Sequence, residues 1–95
     1  MATIRSIERQ IYRVEGFRVR ILHGRDRRDV RGDKEGVPGY TYERAMKNDA
    51  NVVQWRRQRF AQRYPGYNVE VLRADGTTAH GGMRLGTLRR GYLES

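Results

Sequence analysis

The alternation of apolar and polar residues in two short segments constrains the fold of this chain more than any other feature. Segment 17–21 alternates Phe, Val and Ile with arginines, and segment 67–73 places Tyr67, Val69 and Val71 on one side. A period of two is typical of a β-strand with one buried face. The sequence therefore predicts a sheet that holds both segments.

Turn signals next to these segments predict two hairpins. Residues 9–22 read as one hairpin, because Glu15-Gly16 lies between two β-rich runs and glycine supplies the positive φ of a two-residue turn. Asp75-Gly76 is a strong turn signal after the second segment, and a return strand would begin at Thr77.

A long helix is predicted between the hairpins, over residues 41–64. Thr41 is a suitable N-cap, and Pro65-Gly66 would end the helix. One stripe at helical spacing contains Tyr42, Met46, Val53, Phe60 and Tyr64. Residues 48–51 are a weak point, at which Asp49 or Asn51 could cap a separate second helix. The apolar residues after Gly82 predict a last short strand or helix.

The order hairpin, loop, helix, hairpin predicts an α+β fold. We expect a mainly antiparallel sheet of about four strands with one long helix packed on one face. The 95 residues have the length of one domain, 1–95, and a long polar loop is expected at about 23–39.

The charge of the chain indicates a class of partner. The net charge is +9, and only Lys34 and Lys47 among the 20 basic residues are not arginine. Arginine forms bidentate bonds to phosphate and stacks on bases. The absence of cysteine excludes disulfides and thiolate chemistry, and no apolar run is long enough to span a bilayer. We expect a cytoplasmic protein with no membrane partner and no signal peptide.

Three candidate binding surfaces follow from the arginines. The predicted helix would present Trp55 opposite its apolar stripe, where the ring could stack on a base or anchor a protein contact, unless the 23–39 loop or the C-terminal segment covers it. The predicted first hairpin would present a basic face, which could equally be covered. A flexible C-terminal tail would add phosphate contacts. The residues of the three surfaces are Trp55, Arg56, Arg59 and Arg63; Arg9, Arg13, Arg18 and Arg20; and Arg84, Arg89 and Arg90.

Catalysis is weakly indicated. Neither His23 nor His80 has metal-ligand spacing to a second ligand, so no metal or cofactor is expected. A metal-independent ribonuclease could use His80, Glu70 and Arg73, but the predicted register turns Glu70 away from the other two.

The sequence thus predicts a small, basic, non-enzymatic nucleic-acid-binding protein that uses arginine–phosphate contacts with possible Trp or Tyr stacking, on DNA or RNA. The alternative is a protein-binding module, such as an inhibitor of phage or mobile-element type, that docks on an acidic surface of a nucleic-acid-processing enzyme or complex.

Overall fold

The computed structural model describes residues 3–23 and 38–94. In chain order, the elements are α1 (Ile4–Glu15), β1 (Arg18–His23), α2 (Val52–Trp55), a π-helical turn (Arg56–Phe60) that continues α2 directly, β2 (Tyr67–Leu72) and α3 (Leu85–Glu94). Most of the expected polar loop at 23–39 lies outside the described residues.

The first predicted hairpin is wrong in its first half, because that part of the chain is the helix α1. Ile4, Ile7 and Ile11 recur at helical spacing and are all buried. The Thr3 hydroxyl caps the helix by accepting from the Ser6 amide. Gly16 has the expected positive φ, 84°, but uses it as the C-cap of α1, where its amide donates to the Tyr12 carbonyl.

The sheet is two-stranded within the described residues, with β1 antiparallel to β2. Val19 pairs with Val71 and Ile21 with Val69, and all four side chains are buried. Both alternating segments are therefore strands, as predicted, and the α+β class is confirmed. The prediction of about four strands is wrong.

The expected return strand after Asp75-Gly76 is reduced to a single bridge between Leu72 and Thr78. The turn itself forms, since Gly76 has a φ of 90° and the Asp75 carboxylate accepts from the Thr77 amide at 3.0 Å. The chain then leaves the sheet and ends in α3.

The prediction of one helix over 41–64 is also wrong. Residues 38–50 are irregular, and Asn51 caps α2 in a capping box with Gln54, as the weak point at 48–51 indicated. In the irregular segment, side chains from other elements bind the backbone: the Met46 amide donates to Glu15, and the Arg44 carbonyl accepts from Arg59. These side-chain hydrogen bonds take the place of the backbone hydrogen bonds that the same groups would form in the predicted helix.

One core joins the elements. The isoleucines of α1 and the valines of the sheet pack with Trp55, Phe60 and Leu88, which belong to α2, the π-helical turn and α3. This packing leaves one side of α1 facing solvent.

Candidate nucleic-acid interface

The exposed side of α1 carries three arginines. Arg5, Arg9 and Arg13 follow at intervals of four residues and are all exposed. Four residues of helix advance about 6 Å and rotate about 40°, so the guanidinium groups form a row along the axis. We call this row the α1 arginine face. Within residues 3–23 and 38–94, none of the three makes a side-chain hydrogen bond or an ion pair.

The acidic residues of α1 point away from this row. Glu8 accepts a hydrogen bond from the Ile21 amide of β1 at 3.1 Å, and Glu15 is 1% exposed. The helix is therefore acidic on its inward side and basic on its outward side. Arg9 and Arg13, predicted on a hairpin face, belong to this helical face instead.

Two tyrosines and Arg18 lie beside the α1 arginine face. Tyr12 is 47% exposed, and its ring centroid lies 5.9 Å from that of Tyr92 on α3. The Arg18 guanidinium lies over the Tyr92 ring at 5.6 Å and donates to the Ala74 carbonyl at 3.2 Å. Arg18 is thus held at the edge of the basic surface by the sheet and α3.

Arg20 is partly neutralised on the outer face of the sheet. Its guanidinium lies 3.7 Å from the carboxylate of Glu70, the residue that it pairs with across the strands. Glu70 is half-buried, but Arg20 is exposed and retains access to solvent. The predicted set of four hairpin arginines is therefore divided between α1 and β1.

Arg59 and Arg89 are engaged inside the molecule. Both donate to the buried carboxylate of Glu15, at 2.7 Å and 3.2 Å. The same carboxylate accepts from the Tyr40 hydroxyl and, at 3.0 Å, from the Met46 amide. The two arginines join α1 to the irregular segment, the π-helical turn and α3, and the geometry gives them a structural role.

The surroundings of Glu15 shift the pKa values of its partners. Burial lowers the pKa of Arg89, because few water molecules solvate its charge. Burial acts in the same direction on Arg59, but the hydrogen bond and the charge of Glu15 outweigh it, and the Arg59 pKa rises. Burial, followed by the hydrogen bond to Glu15, raises the pKa of Tyr40. The cluster therefore keeps a neutral phenol beside two cations and one anion.

Trp55 does not stand on an exposed polar face. It is 0% exposed, its ring meets Phe17 edge to face at 5.1 Å, and its indole nitrogen donates to the Tyr40 hydroxyl at 3.2 Å. The expectation of an exposed Trp55 is wrong: the side chain is buried, and Phe17, Tyr40 and Phe60 are among the residues that contact it. The ring has no free face for a base.

The other predicted arginines are divided between the π-helical turn, the loop after it and the C-terminal segment. Arg63 donates to the Gly39 carbonyl at 2.6 Å, and Arg56 is half-buried on the π-helical turn. Arg84 and Arg90 are exposed at the start and in the middle of the C-terminal segment, where the last element predicted after Gly82 is confirmed as the helix α3, in place of a flexible tail. A cleft of about 580 Å³ lies between these two arginines and the turn at 48–49.

No hydrogen bond joins the residues weighed for catalysis within the described part of the chain. Glu70 contacts Arg20 and, at 3.4 Å, the Thr78 hydroxyl, while His80 is exposed with no hydrogen bond to Glu70 or Arg73 in the described part of the chain. No group of three potential metal ligands occurs among the described residues. None of the described helices is long and apolar enough to cross a bilayer.

Sequence reasoning missed Arg5, Tyr12 and Glu15. The signal for the first two was the spacing of Ile4, Ile7 and Ile11, which predicts a helix and places arginines at intervals of four on its other side. No local pattern shows that Glu15 becomes buried between two arginines from distant parts of the chain. Comparisons with protein-family models, with curated proteins and with solved structures found no match to this chain.

Proposed function

We propose that this protein is a non-enzymatic nucleic-acid-binding protein that contacts phosphates through the α1 arginine face. One observation carries the proposal: Arg5, Arg9 and Arg13 form an exposed row without acidic partners among the described residues. Unpaired guanidinium groups in a row repel each other, and a row of phosphates relieves that repulsion.

The distribution of charge supports this surface over the others. Arg59 and Arg89 are paired with Glu15, and Arg20 lies beside Glu70. The α1 charge that is uncompensated within residues 3–23 and 38–94 is concentrated on one helix, where the spacing of about 6 Å between side chains suits successive phosphates of one strand.

The test measures affinity as a function of salt for fluorescein-labelled oligonucleotides. Three phosphate contacts predict a loss of affinity between 50 and 200 mM salt of about 20-fold for a single strand and about 40-fold for a duplex. The triple variant Arg5→Gln, Arg9→Gln, Arg13→Gln should lose most of this salt dependence, and glutamine preserves the helix propensity of α1.

A matched control separates a local site from general charge. The triple variant Arg44→Gln, Arg57→Gln, Arg73→Gln removes the same charge at exposed positions outside the α1 arginine face. It should retain most of the affinity and salt dependence. Equal losses in both variants would show that net charge, and not this face, attracts the strand. Absence of binding to DNA and RNA at 50 mM salt would reject the proposal.

A further inference from the structure

Tyr12 places an aromatic ring within the basic surface. It follows Arg9 by three residues, so the two side chains are neighbours on the helix surface, and the Arg18 guanidinium lies over the adjoining Tyr92 ring. It is 47% exposed, whereas most other large apolar side chains of the described residues are covered. An exposed ring among cations suits a ligand that carries both phosphates and flat apolar groups.

The ring is supported from behind. The Tyr92 hydroxyl accepts from the Arg18 amide at 2.9 Å and donates to the Leu72 carbonyl. These two bonds hold the Tyr92 side chain of α3 against both strands of the sheet. The Tyr12 ring packs against the Tyr92 ring, with 5.9 Å between the ring centroids and an angle of 43° between the ring planes. A ring held in this way loses little conformational freedom when a second flat group stacks on it.

We infer that Tyr12 stacks on an unpaired base and that the ligand of the α1 arginine face is single-stranded nucleic acid. The inference rests on the proposed function and narrows its ligand class. In a duplex, both faces of each base are covered by neighbouring pairs, so a ring on the protein surface gains nothing from them. In a single strand the base faces are free. Arg9 beside the ring and Arg13, one turn further along the same row, can hold nearby phosphates.

The experiment compares the affinities of four ligands, each 12 nucleotides or base pairs long, at about 50 mM salt. They are oligo-dT, oligo-U, an abasic deoxyribose strand and a DNA duplex. The abasic strand keeps the phosphates and lacks bases. The wild-type protein should bind oligo-dT or oligo-U at least about fivefold more tightly than the abasic strand. Fivefold is the lower end of the gain in affinity that one stacked base provides. Comparison of the first two ligands identifies DNA or RNA as the source of the strand.

Two substitutions isolate the ring. Tyr12→Leu should weaken binding to the base-containing strand by about fivefold and leave the abasic strand unchanged. Tyr12→Phe keeps the ring and should bind within about twofold of the wild type, because the hydroxyl is not required for stacking. Urea unfolding monitored by Trp55 fluorescence checks that both variants fold.

The outcomes separate the two proposals. If the wild type binds the abasic strand or the duplex as tightly as oligo-dT and oligo-U, or if Tyr12→Leu weakens all ligands equally, the stacking inference fails. The proposed function still stands in that case if the triple arginine variant loses affinity. If the wild type binds none of the four ligands, the proposed function fails and the inference fails with it.

Discussion

Replacing Glu15 by glutamine should destabilise this protein more than any other single change of charge. Glu15 is 1% exposed and lies between the guanidinium groups of Arg59 and Arg89, whose side chains are 18% and 16% exposed. Glutamine keeps the volume and one acceptor oxygen but removes the negative charge. Two partly buried cations would then face each other without compensation.

The magnitude follows from the burial of the pair. Removing one partner of a buried ion pair costs about 3–5 kcal/mol, and the partial exposure of the two arginines favours the lower end, about 3 kcal/mol. That loss is a large part of the ~5–15 kcal/mol that stabilises a typical domain. For a domain of this size it corresponds to a fall in Tm of about 12 to 24 °C.

Urea unfolding gives a direct measurement, because Trp55 is the only tryptophan and is fully buried. The carboxylate also accepts from the Met46 amide at 3.0 Å, so Glu15→Gln should speed hydrogen exchange at that amide in the native state. Arg89 also donates to the Met46 carbonyl at 2.8 Å and to Asn48 Oδ1 at 2.7 Å, so Arg89→Gln should itself be destabilising. Combined with Glu15→Gln it should cost less than the sum of the two single changes, because the two residues interact directly.

Glu70→Gln is the matched control. Glu70 pairs with Arg20 at 3.7 Å, and the two side chains are 33% and 47% exposed, so its loss should cost at most about 1 kcal/mol. The reasoning would be refuted if Glu15→Gln changed the free energy of unfolding by less than about 1 kcal/mol, or by no more than Glu70→Gln.

Four further predictions concern stability. Asn51→Ala removes the capping box of α2 and should cost about 1 kcal/mol in urea unfolding. Gly16→Ala places a side chain at a φ of 84° and should cost about 1 kcal/mol, with reduced helix content by circular dichroism. Gly81→Ala places a methyl group in steric overlap with Val53 Cγ2 and should cost about 1–3 kcal/mol, relieved by Val53→Ala. Burial raises the pKa of Tyr64 to about 12, so the stability that its neutral phenol provides is complete below pH ~10 and is lost as the pH rises toward 12.

Each of these has a clear contrary result. An unchanged free energy of unfolding for Asn51→Ala would contradict the cap of α2. An unchanged circular dichroism spectrum for Gly16→Ala would contradict the C-cap of α1. A double variant no more stable than Gly81→Ala alone would contradict the contact with Val53. Equal urea midpoints at pH 9 and pH 11.5 would contradict the prediction for Tyr64.

The strands of this protein follow from local sequence. Alternation identified β1 and β2, and Asp75-Gly76 identified the turn after β2, because strand burial has a period of two and glycine tolerates a positive φ. The net positive charge and the lack of cysteine are also properties of the sequence alone. The helical spacing of Ile4, Ile7 and Ile11 also predicts α1. It competes with the β-propensity of the residues that follow, such as Tyr12 and Val14.

Only the tertiary structure decided how Glu15 and Gly16 are used. A hairpin turn and a helix C-cap both need glycine at a positive φ, so the local sequence fits both. The helix prevails because its apolar side joins the core and because Glu15 meets Arg59 and Arg89, which lie 44 and 74 residues further along the chain. The same long-range bonds hold the segment before Asn51 out of a helix, and no local pattern encodes them.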